Sequence, residues 1–445
     1  MPDRVLSVDS AAQIAGAAQQ LRDFSGRTSV IPTQVIDVLE RWGASLRGPA
    51  LDTIPGVPFL RLWLRRGTLE PIVVHELGQE ALHGQWRQEG PARLGVFPLG
   101  VVGHWPAANI EIQPVLSLSC SLLGGNAALV RVPTNLVGVT GLLLDRLYEV
   151  DTLRAVVNRV LAVTFSHERM DLQQAMAVAV DGAMIWGGAD AVSQVRALPF
   201  PHWARVVTFG PRLSVAAMDA ESWSNRAEQK AWCQRIARDV WQFDQQACSS
   251  PQTLFLERRG RCDVDAFLGA LKDAFAEENR AHPRREIHPA LSSAICLARA
   301  SWLLDEGAAN RAIFPPGPDW TILLGNGPDI PRPTQGRTLT VLLVDDLSEP
   351  ISRFDGIVQT LGLAVQQDAR EASLALAAAK NGVDRIVKLG RMHVFGSPWD
   401  GTDLVRSMTR VVRHVPSHQQ LSQEQLSQEQ LSQETLSLEQ LGQDS

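Results

Sequence analysis

From residue 91 onward the chain alternates apolar strand-like runs with helix-like stretches, and nothing else in the sequence restricts its fold so strongly. The runs are "RLGVFPLGVVGHW", "VLSLSCSLLGGNA", "AALVRVP" and "VGVTGLLLDRLYEV", followed by "LAVTFS", the helical "RMDLQQAMAVAV" and the short strand "GAMIWGG". Strand and helix alternating at this spacing predict βαβ units and a parallel sheet, because parallel neighbours need a crossover long enough to hold a helix. After "RVVTFGPRLSVAAMD" comes an amphipathic helix, "SWSNRAEQKAWCQRIARDVWQF", and a second α/β region extends to about 416. Residues 1–90 mix helical periodicity ("AAQIAGAAQQLRDF", "TQVIDVLERWGASL") with a Pro-rich passage and carry no strong chemistry.

A chain of 445 residues, 45% hydrophobic and 20% charged, has ordinary globular composition and length for roughly two to three domains. The opening "MPDRVLSVDSAAQIAGAAQQ" lacks a basic segment followed by an apolar one, and no apolar run approaches the ~18 residues of a membrane span. The expectation is a cytoplasmic protein. Net charge is −6, but Glu424, Glu429, Glu434, Glu439 and Asp444 lie in the last 29 residues with no Lys or Arg, leaving the body near −1. No basic surplus exists to hold nucleic acid or an anionic membrane. The tail, 417–445, repeats every five residues, and a Leu every fifth position advances about 140° around a helix, so its leucines form no stripe. Low-complexity disorder is the expectation, with a docking peptide as the alternative.

Five cysteines, Cys120, Cys233, Cys248, Cys262 and Cys296, are irregularly spaced and form neither a disulfide framework nor a Cys-x-x-Cys metal site. Four read as small buried hydrophobes. Cys248 is different: in "QFDQQACSSPQTLFLE" its neighbours Asp244, Gln245, Gln246, Ser249 and Ser250 are hydrogen-bonding groups at a break between helix and strand. That setting suits an accessible thiol, a strong nucleophile that needs modest activation. His104 and His393 lack ligand partners at metal-binding spacing, so no metal site is expected.

"DQQACSSPQTLFLE" resembles the catalytic-cysteine segment of the bacterial-luminescence type of acyl-CoA reductases (the LuxC family), a branch of the aldehyde dehydrogenase superfamily. "GHWPAANIEIQPVLSLSCSLLGGNAALVRVP", "DGAMIWGGADAVSQVR" and "GRMHVFGSPWDGTDLVRSM" resemble three further segments of that family in the same order. The resemblance implies an aldehyde-dehydrogenase-like α/β fold with a Rossmann-type NADP(H)-binding domain at 1–217 and a catalytic domain at 218–416. It also implies an oligomer of identical chains.

Carried over residue by residue, the resemblance makes Cys248 the nucleophile and Asn109 the donor to the oxyanion of an attacked thioester. Asn109 also reads as an Asx-turn residue capping the next helix. Arg131 takes the place of a lysine that meets the adenosine ribose, and "VPTN" after it lacks the acid that would repel a 2′-phosphate, which points to NADPH. Gly187 and Gly188 fall where a turn into a helix would receive the pyrophosphate. Thr208 stands where the hydrolytic dehydrogenases of the superfamily carry a water-activating Glu, which favours acyl exchange with thiols. Asp400 yields no role beyond a turn acid. The function expected is NADPH-dependent reduction of an acyl thioester, acyl-CoA first, to the aldehyde. The alternatives are the same chemistry on an acyl carrier protein or on an acyl group from a partner acyl-transferring enzyme, and a non-catalytic interaction subunit.

Overall fold

The computed structural model describes residues 4–259, 263–284, 286–305 and 310–416. The expectations for the tail at 417–445 and for Cys262 fall outside these residues.

The alternation read from the sequence builds a six-stranded parallel sheet in the order Val5–Ser7, Val160–Thr164, Ala127–Arg131, Val101–Trp105, Gly182–Trp186, Arg205–Phe209. Its central strands are mostly apolar because helices cover both faces; all five residues of Val101–Trp105 are buried. The helix Gln113–Leu123 is buried at every position. The N-terminal segment supplies much of its cover, and Trp42, itself buried, donates its indole N–H to Leu143 O at 2.8 Å. From Val101–Trp105 the chain adds strands first on one side, then crosses to add Gly182–Trp186 and Arg205–Phe209 on the other. Beyond the carboxyl ends of strands at such a reversal lies an open crevice.

A second sheet of seven strands runs Arg311–Ile313, Thr321–Asn326, Thr338–Val344, Pro251–Glu257, Leu213–Met218, Val358–Ala364, Arg385–Lys388. Only its edge strand Arg311–Ile313 is antiparallel. The expected division at 217/218 falls inside Leu213–Met218, so the passage between sheets lies at 210–212 instead. "RVVTFGPRLSVAAMD" holds two strands parted by Gly210 and Pro211, and Pro interrupts a hydrogen-bonded ladder. The chain also returns: Thr409–His414 pairs antiparallel with Ala92–Pro98, which pairs with Arg87–Glu89, in a small third sheet. Among the described residues no helix is long and apolar enough to cross a membrane.

Candidate active site

Carboxyl ends of the first sheet face amino ends of the second across a cavity of about 1430 Å³. Its lining takes in the residues after each strand end of the first sheet and the starts of strands in the second. Cys248, Asn109, Arg131, Gly187 and Gly188 all line it.

The loop that carries Cys248 is unusual. Phe243, Asp244 and Gln245 have φ of 55°, 54° and 61°, three successive left-handed residues that are not glycine. Each such conformation costs roughly 1–2 kcal/mol, so surrounding contacts must hold it. Gln245 is fully buried, donating its amide to Pro251 O at 2.8 Å and Thr338 O at 2.9 Å while accepting from Thr338 N–H at 2.6 Å. Asp244 receives Arg337 at 2.6 Å and Arg284 at 3.0 Å. Phe243 packs edge-on to Phe59 and His393. After this turn the chain enters Pro251–Glu257, buried along its length and central in the second sheet. Cys248 therefore sits just ahead of a rigid strand, its carbonyl accepting Ser214 Oγ at 2.6 Å.

Cys248 is half-buried. Burial, then the charge of Asp400, push its thiol up to about 11, opposed by the nearby Gln359 amide and the charge of Arg385. The sequence pointed to an easily activated thiol; the structure makes it a protonated one at neutral pH that needs a proton acceptor. Beside it Ser249 donates to His393 Nδ1 at 2.9 Å while His393 Nε2–H donates to Asp239 O at 2.7 Å. Burial holds His393 down at about 4, so it is neutral, with both nitrogens engaged.

Asn109 follows the strand Val101–Trp105 and donates Nδ2–H to Gln246 O at 3.1 Å, two residues before the cysteine. One amide hydrogen thus ties the two segments together and the other remains for a ligand. The neighbouring helix Gln113–Leu123 takes no side-chain cap from Asn109, so the capping alternative is not realised.

The far end of the cavity carries Arg131 at the end of Ala127–Arg131. Its guanidinium lies 5.4 Å from the Phe165 ring and donates to Phe165 O at 3.3 Å, while its buried Nε has no partner. Burial lowers its pKa from the ordinary value, a cost that an anion would offset. Gly188 caps the helix Ala189–Arg196 without a side-chain bond, leaving first-turn N–H groups open to the cavity. Trp186 stacks on Phe209 at 3.8 Å between these two ends.

Other residues fall differently from their reading. Thr208 is half-buried and outside the lining, which its neighbours Phe209 and Gly210 enter. Cys296 is exposed, not buried: of the helix Pro289–Leu304 that carries it, only Ile295 and Arg299 are buried, and Cys296 lies off their face. Cys120 and Cys233 are buried, as read, with thiols pushed up by desolvation. His104 is buried between Ser117 and Ser121 at 2.8 and 3.0 Å. No group of three or more metal-ligating side chains occurs among the described residues.

Sequence reasoning missed three features. Gln359, on Val358–Ala364, donates to Asp400 Oδ1 and neighbours Cys248. Phe59, Phe243, Phe395 and Trp399 interlock through edge-on and tilted contacts into an aromatic wall of the cavity. Glu76, fully buried, accepts Ser397 Oγ, Val405 N–H at 2.6 Å and Arg406 N–H at 2.8 Å, fixing both ends of the turn that presents Trp399 and Asp400.

Residues 44–413 match the model of the family described as acyl-CoA reductase (LuxC). The long-chain acyl-protein thioester reductase 2 of Photobacterium leiognathi is 23% identical over 366 residues, 80% of this chain and 72% of that protein. The long-chain acyl-protein thioester reductase of Vibrio harveyi is likewise 23% identical, over 80% and 72% of the two chains. In fold the chain is similar to an aldehyde dehydrogenase from Brucella melitensis biovar abortus, with TM-score 0.70 at 14% identity over 92% of this chain and 90% of that one. An NADP-dependent glyceraldehyde-3-phosphate dehydrogenase from Bacillus halodurans, complexed with NADP, gives 0.68 at 15% identity over 91% of each chain. The architecture is aldehyde-dehydrogenase-like.

Proposed function

The chain belongs to the acyl-CoA reductase (LuxC) family, which reduces acyl thioesters to aldehydes, and on that premise we propose that it does so with NADPH through an acyl-enzyme on Cys248. The observation that carries the reading is the convergence of Cys248, Asn109, Arg131, Gly187 and Gly188 on one cavity. Cys248 attacks the thioester carbonyl and the donor thiol leaves. The free amide hydrogen of Asn109, with the Cys248 backbone N–H, stabilises the oxyanion. The aromatic wall offers apolar surface to a long acyl chain. Arg131 and the N–H groups after Gly188 would hold the phosphates of a dinucleotide, and the unpartnered Arg131 Nε fits an anion there. Among the described residues Asp400 is the sole Asp or Glu in the lining and stands with Cys248 and Gln359, so no described acid of the lining repels a 2′-phosphate beside Arg131. When bound, the reduced nicotinamide supplies a hydride to the acyl carbon. Collapse of the resulting thiohemiacetal on Cys248 frees the aldehyde.

The relatives' names favour a second donor, an acyl group carried on a protein. NADPH oxidation with an acyl-CoA series of increasing chain length, and with the same acyl groups on a carrier protein, tests both. Turnover that rises with chain length supports the reading; no cofactor oxidation with either donor rejects it.

A further inference from the structure

A thiol held near 11 cannot acylate efficiently without a base, and the cavity offers few. His393 is neutral with both nitrogens engaged. Arg131 and Arg212 are cations, Cys120 is a more desolvated thiol, and His167 belongs to the Arg131 end. Asp400 remains. Its Oδ1 accepts Gln359 Nε2–H, and both Gln359 and Asp400 act on the Cys248 thiol, so amide, carboxylate and sulfur stand together. The other oxygen of Asp400 has no hydrogen-bond partner among the described residues.

The turn that carries Asp400 is built to hold it still. Trp399 and Thr402 exchange two backbone hydrogen bonds of 2.9 Å. Asp400 and Gly401 between them are left-handed, with φ of 51° and 71°. Arg385 lies 4.4 Å over the Trp399 ring, and Glu76 anchors both flanks.

We propose that Asp400 takes the proton of Cys248 during acylation and returns it to the leaving thiol, with Gln359 aligning the two groups. The step rests on the thioester reading above. As the carbon–sulfur bond from Cys248 to the acyl carbon forms, the S–H proton passes to the Asp400 carboxylate. The bond to the donor sulfur then breaks, and the departing thiolate takes that proton, leaving acyl-Cys248, free thiol and the carboxylate. Burial pushes Asp400 up to about 7, with Arg385 and Arg212 opposing and Asp384 reinforcing the rise. An acceptor in that range suits proton transfer at neutral pH.

The test compares wild type, Asp400→Asn and Asp400→Glu in two assays: Cys248 acylation by dodecanoyl-CoA and by a dodecanoyl carrier protein, and Cys248 alkylation by iodoacetamide, each across pH. Wild-type acylation should rise with pH through about 7. Asp400→Asn should lose that rise and fall about 10²-fold or more. Its alkylation should shift to lower pH, because a like charge has gone. Asp400→Glu, which keeps a carboxylate, should acylate within about tenfold of wild type. A purely structural role would slow alkylation and acylation of Asp400→Asn together, which overturns the proposal. Acylation of Asp400→Asn at the wild-type rate overturns it too, while leaving the thioester reading intact. A wild type that alkylates but accepts neither thioester removes both.

Discussion

Glu76 is a carboxylate in the interior, so its replacement by Ala or by Gln should have sharply different consequences. Burial raises its pKa above the ordinary 4.5, against hydrogen bonds from Ser397, Arg406 and Val405 that lower it. Glu76→Ala strands the buried Val405 N–H, costing about 1–3 kcal/mol, while the partly exposed Arg406 N–H regains water; with the lost packing the total is about 2–4 kcal/mol. Glu76→Gln can keep every contact: Oε1 accepts both backbone N–H groups, and the amide donates to the Ser397 hydroxyl, which can rotate to accept. Its stability should lie within about 1 kcal/mol of wild type at low pH. A raised carboxyl pKa adds stability below the unfolded value and loses it as pH rises toward the folded one, so Glu76→Gln should gain on wild type through that window. Urea denaturation from pH 4 to 8, with hydrogen exchange of the 397–408 segment, measures both effects. The argument is refuted if Ala is as stable as wild type, or if Gln is as damaging as Ala.

Four further outcomes follow from the geometry. Cys248→Ala should abolish acyl transfer while NADPH binding, measured by fluorescence titration, stays near wild type, because Arg131 and Gly188 lie on other strand ends. Asn109→Ala should slow acylation by about 10²–10³-fold, or roughly 3–4 kcal/mol; a change under about tenfold in a folded variant would leave it only a tether for Gln246 O. Arg131→Ala should weaken NADPH about tenfold or more and NADH less, read in the same titration. In the free wild-type enzyme iodoacetamide alkylation of Cys248 should keep rising beyond pH 9 toward about 11, and a midpoint below 9 would contradict its burial beside Asp400.

The parallel sheets were legible because their central strands are buried on both faces and therefore read as largely apolar runs such as "AALVRVP" with helices between. Cys248 stood out through its polar neighbours. Asn109 and Arg131 stood out only through the resemblance of their segment to the family. Less could be read where the site depends on pairs brought together by the fold. Gln359 looks like one polar residue in the strand "VQTLGLA", and only its neighbour strand Leu213–Met218, whose Ser214 meets the cysteine loop, gives it a purpose. Asp400 read as a turn acid, and it is one, yet Arg385 and Glu76 from other segments brace its turn beside Cys248. The left-handed Phe243–Gln245 turn carries no glycine to announce it and is imposed by Arg284, Arg337 and Thr338. Cys296 was misread because "PALSSAICLARASWLL" is apolar on more than one face, so composition alone does not select the buried side.

The central claim is a reducible acyl group on one named sulfur, and trapping it is the most direct measurement. The enzyme is mixed with dodecanoyl-CoA or dodecanoyl carrier protein without cofactor, quenched in acid and digested, and the Cys248 peptide is weighed before and after NADPH is added. The account predicts a dodecanoyl adduct on Cys248 that disappears on addition of NADPH with release of dodecanal. An adduct on another residue, no adduct from either donor, or discharge as dodecanoic acid would contradict it.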